Sequence, residues 1–449
     1  MTKKRMGIVL VVLLLACIGT TLFVMRTPSS PFDGQHDVSE PSTELIRQGE
    51  YVARVSDCVA CHSTPKSAPF AGGLKMATPV GVIYTTNITP DRATGIGDYS
   101  LADFDRAVRH GVARDGHRMY PAMPYPSYVK LSDEDITALY AWFMHGVRPV
   151  KQENTASEIP WPLNMRWPLA FWNSVFVPSR DLQQKSSEDA LWNRGAYLVE
   201  GPGHCGSCHT PRGLAFNEKG LDADSPHFLA GALLDGWYAP SLRGDANTGL
   251  ARWSEEDIVT FLKTGRNQHS VVFGSMTEAF NNSTQFINNG DLRAIAHYLK
   301  SLPPGSNNQE VAWRYQDTPE EVLSIGSRRN IPGAQTYMTR CASCHGDNGR
   351  GKAPWIPPLA GATSMMVDPA SAINVTLNGS GRVVADSVPD AYRMPSFRKQ
   401  LSDKELADVL TFIRGSWGNN GDPVTAKEVS DMRPRTDPAS SDVIILQMR

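Results

Sequence analysis

Six of the seven cysteines stand in pairs, and a histidine follows each pair: Cys58-Val-Ala-Cys61-His62, Cys205-Gly-Ser-Cys208-His209 and Cys341-Ala-Ser-Cys344-His345. Two cysteines three positions apart in a first helical turn point to one side. Each thiol can then add to one vinyl group of the same porphyrin, which is the spacing for covalent haem c attachment. The next residue, His, is held under the iron and can ligate it through its ring. Zinc would need the pairs to converge in twos, and three pairs do not divide that way. A thioredoxin-like dithiol would sit in a βαβ context and needs no following His. No cysteine is left for a disulfide framework, because the seventh, Cys17, lies in an apolar N-terminal run. The expected cofactors are three covalently bound haems c, tethered by Cys58, Cys61, Cys205, Cys208, Cys341 and Cys344 and ligated by His62, His209 and His345.

Each iron needs a sixth ligand or stays open for chemistry. A Met stands in the late loop of each repeat: Met123, Met276 and Met394. Two of the three precede Pro, which fixes φ and stiffens the loop carrying the sulfur. A thioether ligand raises the potential of the iron. Met in an apolar loop is ordinarily gap filler, but recurrence at one place in three repeats favours ligation. Met119 competes with Met123. The Ala-Met-Pro setting of Met123 parallels Arg-Met394-Pro and is preferred. Met276 lacks the Pro. The other eight histidines read as surface or loop residues, with His117 an alternative ligand for the first iron.

The elements that must position these groups repeat as well. The first cysteines of successive pairs are 147 and 136 residues apart, so the chain reads as three tandem class I cytochrome c-like units, mainly α with long loops, over 44–150, 186–303 and 304–420. In each, a short helix leads into the cysteine pair. Capping boxes at Ser100-x-x-Asp103, Ser132-x-x-Asp135, Ser254-x-x-Asp257 and Ser402-x-x-Glu405 open later helices. Residues 63–98 read as a Gly/Thr/Pro-rich loop. Residues 151–185 are an aromatic linker containing Trp161, Trp167, Phe171, Trp172 and Phe176. It reads as interdomain packing or as a docking patch for a partner subunit or membrane interface. Residues 421–449 read as a C-terminal tail. Residues 1–26 join Lys3-Lys-Arg5 to an apolar run, as in an export signal or membrane anchor, and 27–43 is a spacer. The run is an uncleaved anchor, a cleaved signal or a lipidation site at Cys17, and all three put the bulk of the chain in the periplasm.

A formal net charge of −2 in 449 residues offers no field for nucleic acid. Gly201-Pro-Gly203-His-Cys-Gly206 matches a dinucleotide pattern literally, but it sits on the second cysteine pair with no strand before it. No P-loop, nucleophile elbow or hydrolytic triad appears, and no substrate-oxidising site of its own.

With these motifs, Gly49-Glu-Tyr-Val-Ala-Arg54, Thr86-Asn-Ile-Thr-Pro90, Tyr238-Ala-Pro-Ser-Leu-Arg243 and Phe273-Gly-Ser-Met276, the chain resembles the trihaem cytochrome c subunit of bacterial membrane-bound alcohol, gluconate, sorbitol and aldehyde dehydrogenases. The likeness covers roughly 44–420. It implies an electron-transfer subunit on the periplasmic side of the cytoplasmic membrane. Its partners would be a large FAD or PQQ dehydrogenase subunit, a small third subunit and ubiquinone. The family's axial Met map to Met123, Met276 and Met394. The alternatives are a free multihaem carrier to a terminal oxidase, or a haem peroxidase with one open iron.

Overall fold

The computed structural model describes residues 3–35, 40–78, 80–179, 185, 187–234, 236–305, 311–317 and 331–439. The side chain of Cys17 and the apolar Val443–Leu446 lie outside the described residues.

Each cysteine pair is reached by an amphipathic helix whose apolar stripe meets the closing helix of its own unit. Helix Thr43–Val55 packs on helix Asp133–Ala141, Ala190–Glu200 on Asn289–Ser301, and Ala334–Arg340 on Asp403–Arg414. A glycine permits close approach in each pair. A Cβ on Gly49 would strike the backbone of Ala138, one on Gly195 that of Ala294, and one on Gly333 that of Asp408. Ser100, Ser254 and Ser402 cap their helices with full capping boxes, and Ser132 caps Asp133–Ala141 through the Asp135 amide.

Among the described residues the core falls into three larger clusters and a small fourth. The first holds Val52, Phe104, Leu131, Ile136 and Phe143, the second Leu198, Ile258, Leu292 and Ile295, and the third Tyr337, Ile373, Leu406, Leu410 and Trp417. Val272, Phe280 and Val383 make the fourth.

The expected fold, mainly α with three tandem class I cytochrome c-like haem domains behind an N-terminal signal or anchor, needs correction on three points. First, the long loops contain antiparallel hairpins. Lys75–Thr78 pairs with Gly81–Tyr84, Ala232–Leu234 with Trp237–Ala239, and Val384–Ala385 with Val388–Pro389. Second, the units interlock. Val55, at the end of the first unit's leading helix, lies in the second core. Lys130 Nζ meets Glu200 Oε2 at 2.9 Å with both side chains buried. Gln285 bonds the backbone of Val384 and Asp386. Buried polar pairs of this kind join units rather than leave them as independent beads.

Third, among the described residues no helix is long and apolar enough to cross a membrane. Helix Lys3–Val24 opens on Lys3, Lys4 and Arg5, and Gly19, Thr20 and Thr21 interrupt its apolar run. The segment read as a tail also contains helix Ala426–Arg435. A Thr425–Glu428 capping box opens it, and buried Val429 and Met432 seat it on the third core.

Candidate haem-binding sites

The first cysteine pair sits on the one-turn helix Cys58–Cys61, while Cys205 and Cys341 cap the one-turn helices Gly206–His209 and Ala342–His345 that carry the second cysteine and the His. The His ring is fixed in the same way at each. Its Nδ1 faces a backbone carbonyl: Thr86 at 2.7 Å for His62, Pro240 at 2.7 Å for His209 and Pro357 at 3.0 Å for His345. A proton on Nδ1 donated to that oxygen leaves the Nε2 lone pair for a metal. Burial holds all three imidazoles below the usual histidine value, partly offset by the facing carbonyl. They are therefore neutral, as a ligand must be.

Sequence reasoning missed the frame behind these rings. The His carbonyl accepts from a glycine amide at 2.8 Å in every site: Gly72 for His62, Gly231 for His209 and Gly351 for His345. Two residues before each glycine, a carbonyl accepts from the amide two residues beyond the ring's acceptor. These bonds are Ile88 to Phe70, Leu242 to Leu229, and Leu359 to Gly349. All three glycines have positive φ, the region where an L side chain is costly. A Cβ on Gly72 would strike Thr86, and one on Gly351 would strike Pro357, the residues whose carbonyls fix the rings. The excursion from His to acceptor differs in length. At the first two sites a β-hairpin fills it, and at the third a single Lys352–Ile356 bridge. The shared Phe70-Ala-Gly-Gly-Leu74 and Leu229-Ala-Gly-Ala-Leu233 phrases were the legible signal.

The described cysteines are not in disulfides. Burial pushes the Cys58, Cys61 and Cys205 thiols up to about 12 and Cys341 up to about 11. Both thiols of each pair are available for thioether bonds. Among the described residues no cluster of three or more His, Cys, Asp or Glu is gathered to hold a metal ion. Two thiols and one oriented neutral imidazole per site fit covalent haem.

Of the Met candidates, Met123 packs on the first core together with Cys58, and Met394 on the third with Cys341. Ser380 clamps the Met394 backbone from both sides, its amide donating to the Met394 carbonyl at 3.1 Å and its hydroxyl accepting from the Met394 amide at 3.0 Å. Met276 packs on the small fourth core, away from the Cys205 cluster, at the start of a helix that touches Cys58–Cys61. The choice between Met119 and Met123 has a register. The Met119 amide donates to the carbonyl of Gly111, the left-handed cap of helix Leu101–His110. The Val272 amide donates to that of Gly265, the left-handed cap of Glu255–Thr264. Met119 thus corresponds to Val272, and Met123, four residues on, to Met276. His117 turns its Nδ1 to Asp115 at 2.6 Å on an exposed loop.

The first two sites adjoin. The Cys61 and Cys208 thiols lie close enough to interact electrostatically, and His204 Nε2 meets the Ser56 carbonyl at 3.2 Å.

The cytochrome c family model matches residues 331–417. One matched domain is a further correction to the expected row of three. Over its length the chain is 49% identical to the cytochrome c subunit of the quinone alcohol dehydrogenase of Gluconacetobacter polyoxogenes, covering 90% of this chain and 87% of the relative. It is 50% identical to the gluconate 2-dehydrogenase cytochrome c subunit of Pantoea cypripedii, over 87% and 89%. It is 34% identical to the fructose dehydrogenase cytochrome subunit of Gluconobacter japonicus, over 94% and 87%. Oriented imidazoles beside paired thiols and this full-length likeness agree: the chain belongs to the family of electron-transferring cytochrome c subunits of alcohol, gluconate and fructose dehydrogenases.

Proposed function

We propose that this chain carries electrons from a partner dehydrogenase subunit, an FAD or PQQ enzyme, through three covalently attached haems c to ubiquinone at the periplasmic face of the cytoplasmic membrane. Bound haem supplies one-electron chemistry at its iron. Cys58 and Cys61, Cys205 and Cys208, and Cys341 and Cys344 tether. His62, His209 and His345 ligate through Nε2, with Nδ1 held by Thr86, Pro240 and Pro357. Met123, Met276 and Met394 would supply thioether ligands, and a thioether favours the reduced state.

The observation that carries this reading is the threefold recurrence of one device: a cysteine pair, a His whose carbonyl a glycine binds, and a backbone acceptor for its Nδ1. A single decorated site would have supported only a monohaem protein. The full-length likeness to dehydrogenase subunits supports the partner, and through it the membrane and quinone.

The test is a haem count by pyridine haemochrome on the purified chain and on Cys205→Ala with Cys208→Ala. Three covalent haems falling to two are expected. Equal counts in the two proteins would remove the second site. Purification from detergent-solubilised membranes should bring a flavin- or PQQ-containing subunit with the chain; its appearance alone in the soluble fraction would favour the free carrier. Rapid binding of cyanide or carbon monoxide at one haem would favour the peroxidase.

A further inference from the structure

The linker between the first two units presents a surface that neither haem attachment nor interdomain packing explains. Trp161 is 78% exposed and Val175 70%, with Leu163 and Trp167 about half exposed between them. Trp172 turns inward and donates its indole N–H to the Ala215 carbonyl at 2.9 Å. That bond draws the exposed Leu214 and Phe216 alongside. A soluble monomer rarely leaves so many large apolar groups together without a use.

The surface is stitched to the loop that holds Met123. Tyr120 Oη donates to the Leu163 carbonyl at 2.9 Å, and the Arg166 guanidinium lies 3.8 Å from the Tyr120 ring centre. Arg118 donates to the Arg26 carbonyl, and its own carbonyl accepts from Arg166. Tyr125 Oη donates to Asn173 Oδ1 at 2.9 Å, and Asn173 Nδ2 to the His110 carbonyl. Whatever covers the surface is therefore held at the first site.

The charges say what covers it. Between Trp161 and Phe176 there is one charged residue, Arg166, and no acid. The adjoining N-terminal stretch brings Arg26 and no acid before Asp33. Helix Lys3–Val24 touches helix Leu169–Phe176 and is exposed and apolar at its near end, where Phe23 stands 70% exposed. Protein partners are commonly met with charges of both signs at the rim. Exposed Trp161 and Trp167 beside Arg166, on a stretch that carries no acid of its own, match the headgroup region of an anionic bilayer.

We infer that residues 161–175, with Leu214 and Phe216, form a platform that lies on an anionic phospholipid surface and sets the first Cys-x-x-Cys-His site nearest the lipid. The inference rests on the membrane reading proposed above and goes further by naming the contact. It is an interfacial contact, shallow and reversible, made by side chains that need no rearrangement.

The test uses the full haem-loaded chain in a Cys17→Ser background, with an environment-sensitive fluorophore on Leu163→Cys or, as control, on Val388→Cys of the third hairpin. Vesicles of phosphatidylcholine and phosphatidylglycerol are added, and vesicle binding is read in parallel by flotation. The label at 163 should brighten and shift to the blue while the label at 388 stays unchanged. Trp161→Ser combined with Trp167→Ser should weaken vesicle partitioning about tenfold. A chain that floats with vesicles while its label at 163 stays solvent-like overturns the platform and leaves the membrane reading standing. A chain that does not float overturns both. Shielding of 163 by the dehydrogenase subunit in detergent, with no response to vesicles, overturns the lipid as occupant in favour of protein.

Discussion

At the scale of the residue, each ligand is decided by where its backbone is pinned. Met119 and Met123 lie four residues apart in one loop, so composition cannot separate them. The amide of Met119 is spent on Gly111, and its counterpart in the second unit is Val272, whose side chain has no donor to offer. Met123→Leu should therefore lower the potential of one haem by on the order of 0.1 V, within the ~0.8 V range that axial ligands span. Met119→Leu should leave all three potentials in place. Spectroelectrochemical titration of both variants reads this directly, and the reverse pattern would exchange the two. Glycine positions are pinned as sharply. Gly72→Ala would place a methyl against Thr86 at positive φ. It should cost about 1–3 kcal/mol of strain, seen in denaturant unfolding, and loosen the carbonyl that orients His62. Cysteine pairs and His were legible from spacing alone. The glycine frame was legible only in the shared phrases at Phe70–Leu74 and Leu229–Leu233, because 24, 31 and 12 residues separate ring from acceptor in the three sites and no fixed-length pattern spans all three.

At the scale of the element, what could be read was what has a local cause. Ser100, Ser254 and Ser402 announce their helices because a cap is satisfied within three residues. The hairpins gave no such sign. Their strands are four, three and two residues long. The first pair is half-buried at every position, so the alternation that betrays a strand is missing. The first two lie where the chain returns a carbonyl to the His ring, a tertiary demand that local sequence does not encode. Helix Ala426–Arg435 was overlooked for the opposite reason. Its Thr425-x-x-Glu428 box was present, but the segment around it is polar enough to pass for a tail. Thr425→Ala should destabilise the third unit by about 1 kcal/mol through loss of the cap. Far-ultraviolet circular dichroism during urea unfolding would detect it as a lower midpoint. An unchanged midpoint would mean that the helix is held by Val429 and Met432 alone.

At the scale of the whole molecule, polar contacts join the first two units. Tyr51 of the first unit and Arg194 of the second both engage Asp291. The Tyr51 hydroxyl donates at 2.6 Å, and the guanidinium meets both carboxylate oxygens at 2.8 Å. Burial by itself would raise this carboxyl, but Arg194 and Tyr51 overcome that and hold it below the usual aspartate value. A group whose folded value is depressed stabilises the fold fully above its unfolded value, about 3.9, and loses that contribution as pH falls through the folded value. The joint between the first two units should therefore weaken on acidification below about pH 4 and be indifferent to pH between 6 and 8. Asp291→Asn keeps the shape and removes the titration. It should be less stable at neutral pH and should flatten the acid limb of the stability curve relative to the parent. Chemical denaturation at a series of pH values compares the two. A parent and variant whose curves run parallel down to low pH would show that Asp291 does not couple this joint to protons.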